Sequence, residues 1–387
     1  MDNHFKNINI NDDIELQMDF YNLDTCVVNS FRRSVLSDVL GYTFGDIIIE
    51  KNTSLLNNEI LAHRLSLIPL EMELGDNISV ELDVKNNGFD KISITSSDLK
   101  VVSGELYIIP NILMVELKSK EEISLKMTVI RGSGKEHAKF QPVSICSYKI
   151  NEEVSIKMDI WNKLSKSQKD KCRKYCKRNL LLKNDYYLYE NSVGTYGFKV
   201  FNENTKEKIR LNLKKYLIKI GVDIEEEESN DMVIFTDKYY NKKYVYSFKL
   251  ESLLVNPYYI FSQILYHMNK KIIDLQNKDI EIDNHSCNVG ICFIIEGEGH
   301  TMGTILVEEI QKDDRVKYSY YKQKHPFDKK ILLYIILKEE NDDNESEYAI
   351  ILVDAFKRIV EMYQNLQAEW NLILQERDVN MNEIIEI

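Results

Sequence analysis

The sequence predicts an α+β protein built as two related halves, with a β-rich insert interrupting the first. Three observations predict it. Two segments carry apolar residues at alternating steps of four and three, the seam of a long helix that packs against another. The first runs Phe261, Leu265, Met268, Ile272, Leu275, and the second Leu352, Phe356, Ile359, Tyr363, Leu366, Trp370, Ile373. Each seam closes a unit that opens strand–helix–strand, as related halves would. From Glu71 to about Tyr148 the pattern instead becomes short alternating runs such as "ISVELDV", "KISITSSDL" and "ISLKMTVI", parted by turn signals like "NNG". The expected division is 1–70 with 241–280 for the first half, 71–240 for the insert, and 281–387 for the second half.

Each element follows in turn. "IELQMDF" (14–20) alternates as a half-buried strand does. Asp24 can cap a helix through "TCVVNSFRRSVLSDVL", with Gly41 as its stop and Val27, Val28, Phe31, Val35, Val39 and Leu40 as its apolar face. "DIIIE" (46–50) reads as a short buried strand. A second helix in "NNEILAHRLSLI" places Ile60, Leu61, Leu65 and Ile68 on one side and stops at Pro69. Beyond the insert, "YVYSFKLES" (244–252) is a strand, and Asn256 with Pro257 starts the first seam helix. "ICFIIEG" is a strand, "HTMGTILVEEIQ" a helix, and "RVKYSYYK" and "KILLYIIL" are strands. The acidic loop "EENDDNESE" precedes the second seam helix.

Composition narrows the function classes. Hydrophobic content of 44% and charged content of 29% suit a soluble globular chain, and 387 residues allow two or three cores. A formal net charge of −12 repels nucleic acid from the molecule as a whole. No apolar run approaches membrane-helix length and the N-terminus has no apolar signal core, so a soluble intracellular protein is expected. The six cysteines are scattered, as free thiols in a reduced compartment would be. Cys172 and Cys176 offer only a C-x3-C spacing, short of the four ligands of a structural zinc, so no metal or other cofactor is expected.

Two stretches invite a ligand. "RGSGKEHAKFQPV" (131–143) has the glycines and lysine of a phosphate cradle. However, Glu136 and His137 follow Lys135 where a phosphate loop needs Ser or Thr, which argues against a nucleotide. The run 163–183 holds nine Lys or Arg and a single Asp, enough clustered charge to attract a phosphate backbone. A stand-alone nucleic-acid-binding protein is therefore the alternative reading. No nucleophile, base and orienting group can be assembled from the spacings, so no catalytic residue is expected.

The motifs resemble a known family. "NSFRRSVLSDV" with "NTSLLNNEILAHRLSLIPL", "GKEHAKFQPV" and "YSFKLESLLVNP" resemble the third subunit of eukaryotic RNA polymerase II and its archaeal D-type and bacterial alpha counterparts. "EGEGHTMGTILVEEI", "VKYSYYKQKHPFDKKILLYI" and the terminal helix resemble its smaller partner, the eleventh subunit or the archaeal L-type counterpart. Ser66, Gly299 and Thr304 depart from the family pattern. Both partners in one chain is similar to the fused polymerase subunit of large cytoplasmic DNA viruses.

The resemblance implies two alpha-subunit-like dimerisation halves packed as a pseudo-heterodimer, forming a non-catalytic assembly scaffold of DNA-directed RNA polymerase. It implies two large catalytic subunits as partners, the second-largest held by the first half, with small subunits similar to the tenth and twelfth. DNA is met only indirectly and no membrane is involved. If the chain is viral, the site of action is the cytoplasmic viral factory and the virion; otherwise it is a nuclear or cytoplasmic transcription complex. Arg32, Arg33, Glu59, His63, Arg64, Lys135, Glu136, His137, Lys139 and Pro142 are the implied partner interface. Phe261, Leu265, Met268, Ile272, Leu352, Phe356, Ile359, Tyr363 and Leu366 are the expected contact between halves. His300, Thr301, Gly303, His325 and Pro326 are expected to have structural roles.

Overall fold

The computed structural model describes residues 4–11, 14–71, 77–156, 164–171, 186–190, 196–200, 211, 215–216, 218–219, 233–237, 239–240, 243–283, 289–325, 327–339 and 345–377. The chain opens with β1 (Phe5–Asn11), β2 (Glu15–Phe20) and helix α1 (Thr25–Ser37). It continues through β3 (Leu40–Asn52), α2 (Asn58–Ser66), β4 (Ser79–Lys85), β5 (Ile92–Thr95) and β6 (Lys100–Ser103). Then come β7 (Leu113–Leu117), β8 (Glu122–Ser133) and β9 (Val143–Ile150). Short strands follow: β10 (Glu152–Ile156), β11 (Tyr186–Glu190), β12 (Tyr196–Val200), β13 (Val233–Asp237), β14 (Tyr239–Tyr240) and β15 (Lys243–Tyr244). β16 (Tyr246–Ser252) leads into α3 (Pro257–Gln276). The rest is β17 (Glu281–Ile282), β18 (Ile291–Glu296), α4 (His300–Ile310), β19 (Val316–Lys322), β20 (Lys330–Leu337) and α5 (Glu345–Glu376).

Two antiparallel sheets share one connectivity. The first has order β1-β2-β16-β9 and the second β17-β18-β20-β19. Matching β2 to β18, α1 to α4, β9 to β19, β16 to β20 and α3 to α5 reproduces each sheet from the other, with β1 and β17 as added edges. The insert thus occupies the place that a short turn, 311–315, holds in the second half.

Strand and helix patterns explain the layers. β16 alternates buried and half-buried positions because one face meets helices, whereas β20 is buried along most of its length, as a central strand covered on both faces is. α3 starts as its sequence dictates: the Asn256 side chain accepts from the Tyr258 N–H (2.9 Å), and Pro257 fills the first turn. α3 and α5 lie against each other. Phe261, Leu265, Met268, Ile272, Leu352, Phe356, Ile359, Tyr363 and Leu366 are all buried in one core that draws on both sheets and all four of their helices. Trp370 packs edge-on to Phe261 at 4.7 Å between ring centroids, and its indole N–H donates to Ser262 Oγ (2.9 Å). Ser30 Oγ and the buried Tyr363 hydroxyl meet at 2.7 Å, so α1 and α5 share a satisfied polar contact inside the core.

The structure departs from several expectations. α1 ends at Ser37, and Gly41 lies in β3 rather than stopping the helix. A Cβ on Gly41 would sit 2.0 Å from the Phe140 carbonyl oxygen, so close backbone approach explains this glycine. Asp24 stands at the N-cap without capping, because its carboxylate pairs with Lys312 and Lys243 (both 3.0 Å). Residues 46–50 belong to the thirteen-residue β3, whose Ile48 is exposed. α2 ends at Ser66, three residues before Pro69, and Ile60 faces solvent, off its buried Leu61–Leu65 stripe.

Sheet membership also differs from the expected division at residues 71 and 240. β3 and α2 pack into a separate core with β4, β5, β7 and β8; the sheets there are β3-β8-β4-β6 and β5-β7, while β9 closes the sheet of the first half. Pairing of β3 along β8 decides this, since backbone partners run from Leu40↔Ser133 to Asn52↔Ile123. The acidic segment "EEEESND", Cys172, Cys176, Pro326 and most of the basic run 163–183 lie outside the described residues.

Candidate assembly interface

The loop 131–142 docks on the C-terminal end of α1. Lys135 N donates to Ser37 O (3.1 Å), and Gln141 Nε2 donates to Leu36 O (3.0 Å). A Cβ on Gly134 would lie 2.0 Å from Leu36 O, so only glycine lets the chain come this close. These donors satisfy carbonyls that a helix leaves open at its C-terminus. Two further N–H groups of the loop, from Glu136 and His137, are spent on Ser133 O. A helix C-terminus carries the negative end of the macrodipole and repels an anion. The glycines thus serve docking, and the loop has neither the field nor the free N–H groups of a phosphate cradle.

Docking brings the loop beside α2. The rings of His63 and His137 stand 6.4 Å apart, and His137 Nδ1 accepts from Lys139 N (3.1 Å), which fixes the short turn 138–140. Glu59, His63 and Arg64 are exposed on successive turns of α2, and Arg64 reaches Leu113 O (2.7 Å). Lys135, Glu136 and His137 are exposed; Lys139 is half-buried with its ammonium 5.0 Å from the Phe140 ring. Pro142, expected in a partner contact, is buried beside a small cleft that Leu67, Lys139 and Leu253 also line.

Apolar residues missed in the sequence complete this surface. Leu55, Ile60 and Leu67 are 73%, 50% and 51% exposed, and Leu253 is exposed as well. Ile60 on α2 and Leu67 at its C-cap, two turns apart, form a second stripe flanked by His63 and Arg64. The seven-residue spacing is the available signal, but in the sequence it blends with the buried stripe. Exposed leucine and isoleucine ringed by histidine and arginine is the make-up of a protein-docking patch.

The two arginines of α1 behave differently. Arg32 bonds Asn29 Oδ1 through Nε and NH2 (3.1 and 3.0 Å) and lies near Cys146 of β9. Arg33, expected to face a partner, donates Nε to Thr301 Oγ1 (2.6 Å) and so ties α1 to α4 across the halves. Lys271 of α3 adds another tie, pairing with Glu298 at 3.1 Å. Burial pushes the Glu298 carboxyl up, and the Lys271 ammonium only partly offsets it. His300 and Thr304 both meet the Tyr321 hydroxyl at 3.2 Å, and a Cβ on Gly303 would fall 2.7 Å from the Tyr321 ring. Among the described residues no group of three His, Cys, Asp or Glu side chains could hold a metal. No described helix is long and apolar enough to cross a membrane.

Residues 291–369 match the RNA polymerase Rpb3/Rpb11 dimerisation domain. The match begins at β18 and ends within α5, so it covers three of the four strands of the second half's sheet, all of α4 and most of α5. The chain is also similar to the subunit RPAC1 of DNA-directed RNA polymerases I and III. It is 29% identical to the Homo sapiens protein over 185 residues, which are 38% of this chain and 54% of that protein. Against the Saccharomyces cerevisiae protein the identity is 30%, over 39% of this chain and 58% of the relative. The DNA-directed RNA polymerase subunit Rpo3 of Archaeoglobus fulgidus is 30% identical, over 37% of this chain and 60% of its own length. The chain thus spans a little over half the length of the curated relatives it matches. The dimerisation domain lies in the half that carries no insert.

Proposed function

We propose that the chain is a non-catalytic assembly subunit of a multisubunit DNA-directed RNA polymerase, holding both partners of the dimerisation pair in one polypeptide. The single observation carrying this reading is the shared connectivity of the two sheets around one core, with a dimerisation-domain match in the second. In this reading the first half corresponds to the third subunit and the second half to the eleventh, as in the fused subunit of large cytoplasmic DNA viruses. That likeness favours a cytoplasmic viral transcription complex.

The apolar stripe of α2 with the docked loop 131–142 is the surface offered to the second-largest subunit. Glu59, His63, Arg64, Lys135, Glu136 and His137 form its polar rim, which sets register and on-rate more than affinity. Lys139 and Pro142 support the loop from behind, and Arg32 remains available beside β9. The small subunits similar to the tenth and twelfth border the same loop, and DNA is reached only through the large chains.

The test is an affinity pull-down of the tagged chain from its native source at moderate salt, read by mass spectrometry. Two large polymerase chains at equal stoichiometry are expected. Ile60→Asp with Leu67→Asp, both at exposed positions, should reduce recovery of the second-largest chain by about tenfold or more, as loss of an interface centre does. Recovery of nucleic acid without large chains would sink the reading and turn attention to 163–183.

A further inference from the structure

The β19–β20 hairpin ends in an exposed tip that the assembly reading does not use. Phe327 stands at this tip with 87% of its surface exposed. Its turn is held by several hydrogen bonds. His325 N donates to Asp328 Oδ2 (3.0 Å), Phe327 N to His325 Nδ1 (3.2 Å) and Asp328 N to His325 O (2.9 Å). Gln323 Nε2 donates to Asp328 O (2.6 Å), and Gly297 N donates to Lys329 O (2.6 Å), fastening the tip to the end of β18. The His325 and Phe327 rings lie 5.2 Å apart. These bonds already hold the described residues of the tip, which lowers the entropy cost of docking.

Charge at the tip runs against that of the molecule. Lys322, Lys324, Lys329 and Lys330 are all exposed there, in a chain of net charge −12. They make no ion pair among the described residues. Asp328 is committed to the turn, and Glu296 faces Lys330 in strand register. Tyr318 and Tyr320 continue the exposed aromatic surface along β19, with Tyr320 stacked on Tyr334 at 4.5 Å.

We propose that this tip is a second docking surface, on which Phe327 inserts as an anchor into another protein at a site bordered by aspartate and glutamate. Charge complementarity selects an acidic partner, because four exposed lysines that make no ion pair among the described residues surround one apolar ring, repel a basic surface and orient an acidic one. The shape selects a protein. The 87% exposed Phe327 side chain can enter a concave apolar pocket, while a nucleic-acid strand needs a groove that tracks its backbone. The surface is formed by the second half alone and does not depend on the polymerase reading.

The test places the photocrosslinking residue p-benzoylphenylalanine at position 327 of the full chain in its native assembly, with crosslinked peptides mapped by mass spectrometry. A crosslink to a segment of another protein with excess Asp and Glu is expected. Lys324→Glu with Lys329→Glu should lower its yield by about tenfold or more. Recovery of chains held by the α2 surface should stay unchanged, so failure here is distinct from failure of the scaffold. Crosslinks to nucleic acid, to a second copy of this chain or only within the chain would overturn the proposal. So would a yield indifferent to the charge reversal.

Discussion

Cys26 and Cys146 show how strongly single side chains are governed by their surroundings. Burial pushes the Cys26 thiol up to about 11, with the nearby Asp24 carboxylate adding to the shift. Burial pushes Cys146 up to about 12 against the opposing charge of Arg32. A thiol reacts as its thiolate, so alkylation at pH 8 should be slower in the native protein by about a hundredfold or more than in the unfolded chain. Peptide-resolved iodoacetamide labelling checks this; rates equal to those in denaturant would mean the core around α1 opens readily. At Gly134 the constraint is steric rather than electrostatic. Its missing Cβ leaves room for Leu36 O, so Gly134→Ala must push the loop off α1. A loss of about 1–3 kcal/mol is expected, the usual result of overpacking. Urea unfolding with and without the substitution measures it.

Between elements, the ties are polar contacts set at the edge of the apolar seam. Glu309 of α4 bonds Arg358 of α5 and Lys312, each at 2.7 Å. Burial alone would raise its carboxyl, but hydrogen bonds from Lys312 and Arg358 overcome that and hold it below the ordinary carboxylate range. A carboxyl lowered in the folded state contributes stability above its unfolded pKa and loses it as pH falls through the folded value. Glu309→Gln should therefore cost about 1–2 kcal/mol at pH 7, since both cations remain partly hydrated. The difference from wild type should shrink as pH falls below the ordinary glutamate range and through the lowered folded value; a deficit that does not change with pH would point to lost packing instead. The seam itself was legible because α3 and α5 each bury one stripe at helical period, and period is what a sequence displays. The insert's true edges were not, because Gly41 fits a helix stop as well as a strand in close backbone contact. The exposed stripe of α2 was hidden for a related reason: Ile60 is apolar and adjacent to Leu61, and period alone does not say which of two faces is covered. The tip at Phe327 has no period at all, so only its exposure reveals it.

At the scale of the whole molecule, the proposed reading of two partners in one polypeptide makes the covalent link the feature to test. The core spans both sheets, and polar ties cross between halves at Asp24–Lys312 (3.0 Å), Arg33–Thr301 (2.6 Å), Ser30–Tyr363 (2.7 Å) and His4–Glu369 (2.7 Å). Arg377 adds contacts to Tyr258 Oη (2.8 Å) and Ile8 O (2.9 Å). A linker of about a dozen residues between α3 and β18 makes this pairing intramolecular, at an effective concentration of the order of millimolar. The interface, not the linker, should hold the halves together once formed. A protease site placed between Asp283 and Val289 tests that division of labour. After cleavage the two fragments should still co-elute at micromolar concentration, because the buried seam of α3 and α5 persists. The linker's share should appear in the unfolding midpoint, which becomes dependent on protein concentration once the halves can part. Fragments that separate on the column would mean that the seam is too weak alone and that fusion is a requirement of the fold. A midpoint unaffected by both cleavage and dilution would mean that the link contributes nothing to stability.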